Sequence, residues 1–222
     1  MDLDVPPCSL HHAVVAPFTA LRSAAATAGI DLVPVSSFRD FARQLAIWNG
    51  KCRGERELRD SGGALVDAAT LDDDTLVGNI LHWSALPGAS RHHWGTEMDV
   101  IDAAAVLPGY RPQLIPAEFA PGGVFAVLND WLDAHAAQFG FYRPYASFRG
   151  GVQPEPWHLS HAAVAAAALQ QFSLAVLQQA LEDSDLAAKD AVQRRLPQIF
   201  ERYVMNVDAP PAGLASRATM PA

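Results

Sequence analysis

The chain has 222 residues, half of them apolar, and a formal net charge of −8 at pH 7. This length and composition are typical of one ordinary globular domain with a substantial core. The acidic balance and the lack of any Lys/Arg-rich run argue against a nucleic-acid partner, because binding to phosphate backbones requires a basic surface.

The N-terminal segment indicates where the protein resides. Its first seventeen residues carry two acids and no Lys or Arg, and they lack the apolar stretch of a signal peptide. We therefore expect a cytoplasmic protein, with release by a route other than Sec export as the alternative. Cys8 and Cys52 fit no CxxC or zinc-finger spacing, so we expect unlinked thiols rather than a disulfide between them.

The first half of the chain alternates helical and extended patterns. Pro17 favours a helix start and Gly29 a helix end, and the segment after Asp72 carries carboxylates suited to a helix N-terminus. The predicted elements are a helix over 17–28, a buried strand within 30–37, a helix from Asp40 that stops at Asn49-Gly50, a charged surface segment over 51–74, and a helix from 72–74 to before Pro87.

The second half adds short strands and then helices. The predicted elements are a strand over 98–102, a Pro/Gly-rich loop over 103–123, an amphipathic helix over 124–138, short strands within 139–145 and 155–160, helices over about 161–182 and 184–204, and a disordered tail over 208–222. The apolar run 162–177 is alanine-rich and interrupted by polar residues, so it predicts a packed helix and not a membrane span. We expect an α+β fold of one domain, residues 1–207, in which a small central antiparallel sheet is flanked by N-terminal and C-terminal helices.

Two segments concentrate residues that bind metals: Ser90-Arg91-His92-His93-Trp94-Gly95-Thr96-Glu97-Met98-Asp99 and Glu155-Pro156-Trp157-His158. Catalytic zinc generally takes three His or carboxylate ligands and keeps a fourth position open. On one helix His92 and Asp99 would lie about two turns, roughly 10 Å, apart, too far for one ion. A loop and strand with a bend at Gly95 would bring them together. Glu155 and His158 need a similar kink, for which Pro156 is suited.

The pattern SxHxxGxxxD followed by ExWH resembles the signature of the D-Ala-D-Ala carboxypeptidase and dipeptidase family of zinc peptidases, which includes the VanY-type carboxypeptidases. Ser37-Phe38-Arg39, followed by Gln44 and Trp48, is similar to an upstream segment of that family, although Phe38 replaces its usual Tyr. The resemblance covers about residues 30–165. It implies one Zn²⁺ ion held by His92, Asp99 and His158, with Glu155 as general base and Arg39 as the cation that stabilises the oxyanion.

Several roles stay open at this level. Arg39 is alternatively an ion-pair partner of Asp40 or Asp31. Ser90 and Gln44 either position the substrate or cap backbone groups, and Trp157 walls the substrate pocket, packs the core, or does both. Glu97 and Asp102 are both suited to hydrogen-bond a metal-binding His, since such partners fix the imidazole tautomer.

The resemblance implies a zinc-dependent D-alanyl-D-alanine carboxypeptidase that acts on peptidoglycan stem peptides or their precursors. We expect a monomer, although no residue pattern fixes the oligomeric state. A D,D-dipeptidase, an L,D-carboxypeptidase and an endolysin-like endopeptidase are alternatives within the same chemistry. A zinc-stabilised module that binds peptidoglycan without cleaving it is the alternative from another class, and the presence of Glu155 beside all three ligands argues against it.

Overall fold

The computed structural model describes residues 2–4 and 7–215, and it places helices around a small antiparallel sheet. The strands are β1 (Asp2–Asp4), β2 (Pro7–Ser9), β3 (Leu32–Ser36), β4 (Leu58–Arg59), β5 (Leu65–Val66), β6 (Glu97–Asp102), β7 (Phe141–Tyr142) and β8 (His158–His161). The helices are α1 (His12–Thr27), α2 (Phe41–Cys52), α3 (Asp73–Trp83), α4 (Pro116–Phe119), α5 (Ala126–His135), α6 (Ala162–Gln171), α7 (Leu174–Glu182) and α8 (Lys189–Ile199). The α+β class and the small antiparallel sheet predicted from the sequence are confirmed.

The main sheet has four strands in the order β3-β6-β8-β7, and every neighbouring pair is antiparallel. All six residues of β6 are buried, which fits a strand with structure on both faces. In the β6–β8 register Asp99 lies opposite His158. The sheet therefore places two of the predicted metal ligands side by side, although they are distant in sequence.

Two hydrophobic clusters support the site from different sides. In the first, α1 packs on the sheet through residues at helical spacing, among them Val14, Phe18 and Leu21, all fully buried. The second gathers α2, α3, α7 and α8 around Trp48, whose indole N–H donates to the Ala187 carbonyl at 3.1 Å.

Helices α1 and α2 differ at their ends from the sequence prediction. Helix α1 begins five residues before Pro17 because the His11 ring accepts a hydrogen bond from the Ala13 amide and caps it. Helix α2 continues past Asn49-Gly50 to Cys52. The Asn49 side chain bonds the backbone of Asp185 and Ala187 instead of ending its own helix.

The predicted helix over 161–182 is two helices. Ser173 accepts a hydrogen bond from the Val176 amide and starts α7, which lies at 77° to α6. The second predicted C-terminal helix begins later, at Lys189, and continues as a wider turn over Phe200–Met205. The charged segment 51–74 also contains more order than predicted, namely the β4–β5 hairpin. None of the described helices is by itself long and apolar enough to cross a membrane, although α6 and α7 taken together reach that length.

The segment after Met205 packs on the domain as far as it is described. The Asp208 carboxylate accepts hydrogen bonds from the Ser147 amide and hydroxyl, at 2.8 and 2.9 Å, and Leu214 is buried against Tyr142 and Ala162. Residues 208–215 thus depart from the predicted disordered tail, since this polar contact and this apolar contact fix them. The rest of that tail, residues 216–222, lies outside the described residues.

Candidate active site

Three structural elements bring the predicted ligands together. A single helical turn over Arg91–Trp94 presents His92, and Gly95 then adopts a left-handed conformation with φ of 67° that turns the chain into β6. Strand β6 carries Asp99, and β8 begins at His158. One donor atom from each of these residues lies within 4.8 Å of the other two, and all three residues are buried.

The hydrogen bonds of His92 fix how its ring is used. Its Nδ1 lies 2.8 Å from the Ser37 carbonyl, which can only accept, so Nδ1 carries the proton. Nε2 lies 3.4 Å from Asp99 Oδ2 and has no hydrogen-bond partner among the described residues. Burial lowers the pKa of His92, which favours the neutral imidazole. A buried, neutral nitrogen with a free lone pair is what a metal ligand requires.

His158 presents its other nitrogen. Its Nε2 lies 2.9 Å from a carboxylate oxygen of Glu97, while Nδ1 lies 3.3 Å from Asp99 Oδ1 and 3.2 Å from Glu155 Oε2. A carboxylate that accepts from the far N–H orients a metal-binding imidazole. Of the two acids considered from the sequence, Glu97 is therefore the one that contacts the predicted ligand His158. Asp102 instead accepts from the backbone amides of Asp31 and Ala104.

Glu97 is the centre of a buried polar cluster behind the site. It accepts hydrogen bonds from the Arg91 guanidinium at 3.0 Å, the Ser160 hydroxyl at 2.7 Å and the Thr96 hydroxyl at 3.0 Å. Burial acts to raise the pKa of this carboxyl, but the Arg91 charge and the bonds from His158 and Ser160 lower it to about 2. Glu97 is thus ionised at neutral pH, and in that form it accepts the hydrogen bond from His158.

Glu155 lies next to the ligands in a different environment. Residues 155–158 form a turn closed by a 3.1 Å hydrogen bond from the His158 amide to the Glu155 carbonyl, so both side chains face one point. Burial raises the pKa of the Glu155 carboxyl above its ordinary value. Such a group exchanges protons more readily near neutral pH than an ordinary carboxyl does.

Arg39 is placed beside Asp99 by contacts on three sides. Its guanidinium lies 3.9 Å from Asp99 Oδ2 and donates to Gln44 Oε1 at 3.1 Å. The Gln44 amide in turn donates to the Ala85 carbonyl at 2.8 Å. His93 donates from Nδ1 to the Arg39 carbonyl at 2.5 Å and accepts the Gly88 amide at Nε2, so it supports the Arg39 loop and points away from the metal ligands.

These side chains line a cavity of about 260 Å³. Its walls include the three predicted metal ligands, Glu155, Arg39, Ser90, Trp157, Tyr145, Lys51, Glu57 and Arg59. Ser90 and Trp157 both line the cavity, and Trp157 also packs on Phe119 with ring centroids 5.7 Å apart. Gln44 does not line the cavity, since its amide is used to hold Arg39 and the Ala85 carbonyl.

The residues fit a zinc ion by chemistry and by spacing. Two neutral imidazoles and one carboxylate are the donor set of many catalytic zinc sites. Bonds of about 2.1 Å in a tetrahedron separate ligand atoms by about 3.4 Å. His92 Nε2 lies 3.4 Å from Asp99 Oδ2, His158 Nδ1 lies 3.3 Å from the other oxygen, Oδ1, and one donor atom from each residue lies within 4.8 Å of the other two. The His92 Nε2 atom, which has no hydrogen-bond partner among the described residues, lies beside Asp99 at the point where the three predicted ligands converge.

The comparison with known proteins decides the family. A family model described as D-alanyl-D-alanine carboxypeptidase, VanY, matches residues 7–164, more than half of the chain. The chain belongs to the VanY family. The match includes every residue proposed from the sequence for the site.

The chain is also similar to individual proteins in sequence or in fold. An uncharacterized protein of Haemophilus influenzae (strain ATCC 51907 / DSM 11121 / KW20 / Rd) is 37% identical over 122 residues, which are 54% of this chain and 93% of that protein. The structure of VanYB in complex with D-alanine-D-alanine superposes with a TM-score of 0.50 at 19% identity and covers 83% of this chain and 82% of that one. A mutant of the vancomycin resistance D,D-pentapeptidase VanY in complex with Zn(II) gives 0.51 at 19% identity, with coverage of 86% and 88%. At these identities the two structures show a shared fold.

Some residues of this VanY-family site were not identified from the sequence. The Tyr145 ring contacts the His158 ring with centroids 5.0 Å apart, and burial raises the pKa of its phenol to about 12. Lys51 and Arg59 reach the cavity from a segment that was interpreted as surface. No motif marks these three residues, although Lys51 stands out as one of only two lysines in the chain.

Proposed function

We propose that this VanY-family chain is a zinc-dependent D-alanyl-D-alanine carboxypeptidase that removes the terminal D-Ala of peptidoglycan stem peptides or their precursors. One observation carries the proposal: His92, Asp99 and His158 converge on one point, and Glu155 and Arg39 border the same cavity. The D-alanine-D-alanine bound to VanYB supports the choice of substrate.

In this proposal His92 Nε2, His158 Nδ1 and the Asp99 carboxylate would hold one Zn²⁺ ion. When bound, the ion supplies Lewis acidity, which makes an attacking water more acidic and polarises the scissile carbonyl. Glu155 accepts a proton from that water as the oxygen attacks the carbonyl carbon. It then delivers the proton to the nitrogen of the departing D-Ala, so that the peptide C–N bond breaks with protons in balance.

Arg39 stabilises the oxygen of the tetrahedral intermediate. Its guanidinium is preorganised, since Gln44 fixes one nitrogen and the carbonyl of Arg39 accepts from His93. A donor that is already oriented lowers the barrier because nothing must reorganise when charge develops. Gln44 thus acts through Arg39, and its bond to the Ala85 carbonyl favours the backbone-capping alternative over substrate contact.

The test is mass spectrometry of products formed from a muramyl pentapeptide that ends in D-Ala-D-Ala. We expect the zinc-loaded protein to release one D-Ala and a chelator to abolish release. Glu155→Gln should retain zinc and lose turnover by at least about a hundredfold, as expected for a general base. Glu55→Gln is the control, because Glu55 is exposed and pairs with Arg53.

The same assay separates the alternatives. Free dipeptide as the preferred substrate would indicate a D,D-dipeptidase, and release of D-Ala from a tetrapeptide would indicate an L,D-carboxypeptidase. Cleavage of cross-links would indicate an endopeptidase. A zinc-loaded protein that binds muropeptides and cleaves none of them would refute the carboxypeptidase proposal and establish a binding module.

A further inference from the structure

Glu155, the residue proposed as general base, stands at the end of a surface loop over residues 145–155. The Glu155 amide donates to the Tyr145 carbonyl at 2.9 Å, so the two ends of the loop are adjacent, and both side chains line the cavity. Between them residues 146–149 are exposed and bury no apolar side chain. A loop of this kind keeps one shape only if neighbouring segments bind its polar groups. The position of Glu155 therefore depends on what contacts this loop.

Helix α3 contacts the second half of the loop. The Gln153 amide donates to the His82 carbonyl at 2.9 Å, and His82 Nδ1 lies 3.1 Å from the Gly151 carbonyl oxygen. Val152 packs against the second hydrophobic cluster. These contacts fix the part of the loop that leads into Glu155 from the side of α3.

The C-terminal segment holds the first half of the loop. The Asp208 amide donates to the Pro144 carbonyl at 2.9 Å, and the Asp208 carboxylate accepts the Ser147 amide at 2.8 Å and the Ser147 hydroxyl at 2.9 Å. Arg149 Nε donates to Asn206 Oδ1 at 3.0 Å, and the Asn206 side-chain amide donates to the Arg149 carbonyl at 2.7 Å. Backbone and side chains of the loop are thus bound from this side as well.

The wide turn before this segment packs directly on the loop. Arg202 Nε donates to the Gly150 carbonyl, and a Cβ at Gly151 would lie only 2.1 Å from the Arg202 carbonyl oxygen. Glycine at position 151 therefore permits the contact. The family match ends at residue 164, so these contacts come from a part of the chain that it does not include.

Among these contacts, the carboxylate of Asp208 is the strongest single anchor. Its side chain is 20% exposed, and hydrogen bonds to an ionised acceptor are stronger than those between neutral groups. Its ion pair with Arg149, at 3.4 Å, contributes little because the Arg149 side chain is 48% exposed. The important partner is Ser147, which lies two residues after Tyr145 in the loop.

We propose that Asp208 is a positioning residue for hydrolysis: it holds loop 145–155 in the shape that places the Glu155 carboxylate beside the predicted metal ligands. This inference rests on the function proposed above, and it gives the C-terminal segment a part in turnover without any contact with substrate. A displacement of about 1 Å can reduce the rate of a positioned reaction roughly a hundredfold, so the shape of this loop affects catalysis.

The first test needs no zinc and no turnover. Hydrogen exchange of single amides is followed by NMR in the zinc-free wild type and in Asp208→Ala. The informative amide is that of Glu155, which donates to Tyr145, a bond in which Asp208 takes no part. It should exchange at least about tenfold faster in Asp208→Ala, because the loop opens more often, while the amides of α1 should keep their wild-type rates.

The second test measures kinetics of the zinc-loaded protein on the muramyl pentapeptide that ends in D-Ala-D-Ala. Asp208→Ala should lower kcat at least about tenfold and change KM less than about threefold, because Glu155 is displaced while the ligands on the sheet are intact. Zinc affinity should stay near that of the wild type. Asp208→Asn retains an acceptor oxygen for the Ser147 amide and should restore most of kcat.

Asp183→Ala is the matched control, since it removes one carboxylate from the same C-terminal region. Asp183 is exposed, and within the described residues its carboxylate has no hydrogen bond or ion pair. Its amide exchange and kinetics should equal those of the wild type. Thermal unfolding of each variant shows that the fold is retained.

The outcomes separate a positioning role from a merely stabilising one. If Asp208→Ala lowers Tm but retains the wild-type kcat, or if its Glu155 amide exchanges no faster, the positioning role is refuted while the carboxypeptidase activity stands. If the wild type leaves the pentapeptide intact, the proposed function fails, and amide exchange alone confirms or refutes that Asp208 holds the loop.

Discussion

Glu97 and Glu155 both contact His158, but their environments shift their pKa values in opposite directions. Glu97 has its pKa lowered to about 2, since Arg91, His158 and Ser160 outweigh the effect of burial, whereas burial raises the pKa of Glu155. Pairs of carboxyl groups whose environments separate their pKa values usually divide into a fixed charge and a proton carrier. Glu97 therefore orients His158, and Glu155 is the group suited to move a proton.

The role of Glu97 predicts a loss of metal affinity without loss of any ligand. Glu97→Gln removes the anion that accepts the His158 Nε2–H and leaves the buried Arg91 charge without its partner. We expect zinc affinity, measured by competition with a chromogenic chelator, to fall roughly 10- to 100-fold. Asp102→Asn also alters a buried carboxylate but touches only backbone amides, so its zinc affinity should stay near that of the wild type. Equal affinities of Glu97→Gln and wild type would contradict this role.

Cys52 provides a pH-dependent prediction. Burial, followed by the charge of Asp73, raises the pKa of its thiol to about 11. A raised pKa means that the proton is kept to higher pH, so the reactive thiolate is scarce at pH 8. In a Cys8→Ser protein, the alkylation rate should rise about tenfold per pH unit up to about pH 11, whereas the unfolded protein should level off near the ordinary thiol pKa of about 8.5. A native rate that levels off at the same pH as that of the unfolded chain would show that the folded environment does not raise the pKa of the Cys52 thiol.

At the scale of single residues, the sequence allows His92, Asp99, His158 and Glu155 to be proposed for the site, because they belong to two motifs with fixed spacing. It leaves open the choice between Glu97 and Asp102, since both are acids on one short strand. The strand register decides, since Glu97 lies opposite Ser160 of β8, close to His158, whereas Asp102 lies opposite Leu32 of β3. Lys51 could not be assigned, because the path of its side chain depends on how the helix end meets the cavity.

Among the elements, the turn before β6 controls the site. Gly95 ends the turn that holds His92 and starts the strand that holds Asp99, and its carbonyl accepts the His11 amide at 2.8 Å. A Cβ at this position would lie 2.8 Å from the His11 nitrogen, in addition to the left-handed φ. The bend proposed from the sequence between the first two ligands is present at this residue.

Two glycine substitutions separate these effects. Gly29→Ala meets a positive φ with open space around it, so it should cost only the backbone term of about 1–2 kcal/mol. Gly95→Ala adds a clash with backbone and should cost clearly more, and it should also weaken zinc binding by shifting His92 against Asp99. Urea unfolding measures the free energies, and zinc titration measures the site. Equal losses for the two variants would show that the close approach to His11 is not a constraint.

Helix interiors were predictable from apolar spacing, and helix ends were less so. The break between α6 and α7 depends on the Ser173 cap, and the extension of α2 depends on bonds from Asn49 to a distant loop. A local sequence pattern indicates a cap such as Ser173 only weakly. It does not indicate a long-range contact such as that of Asn49. The two-residue strands of the β4–β5 hairpin are too short to show alternation.

On the scale of the whole molecule, the site lies between two hydrophobic clusters. Asp99 and His158 belong to the sheet that packs on α1, while Gln44 and Lys51 belong to α2, which packs around Trp48 with the C-terminal helices. The catalytic geometry therefore depends on both clusters holding their relative position.

Metal removal should consequently be visible in the stability of the entire chain. A ligand that binds only the folded state stabilises it by about 4 kcal/mol at a thousand times its Kd. For a domain of this size each kcal/mol shifts Tm by about 2–4 °C, so we expect zinc to raise Tm by roughly 10 °C over the chelated protein. Glu155→Gln should show the same rise. A Tm that does not respond to zinc would argue against the metal site.

The pairing of Asp99 with His158 has a consequence for the unfolded chain. The two residues are opposite in the sheet but separated by the whole of α4, α5 and β7 along the sequence. Cys8 and Cys52 are not joined by a disulfide, so no covalent link shortens any loop between them. With an ion bound as proposed, the ligands close one long loop reversibly. Because the unfolded chain does not hold these ligands together, the ion binds only the folded state, and its binding free energy offsets part of the entropy lost when this long loop closes.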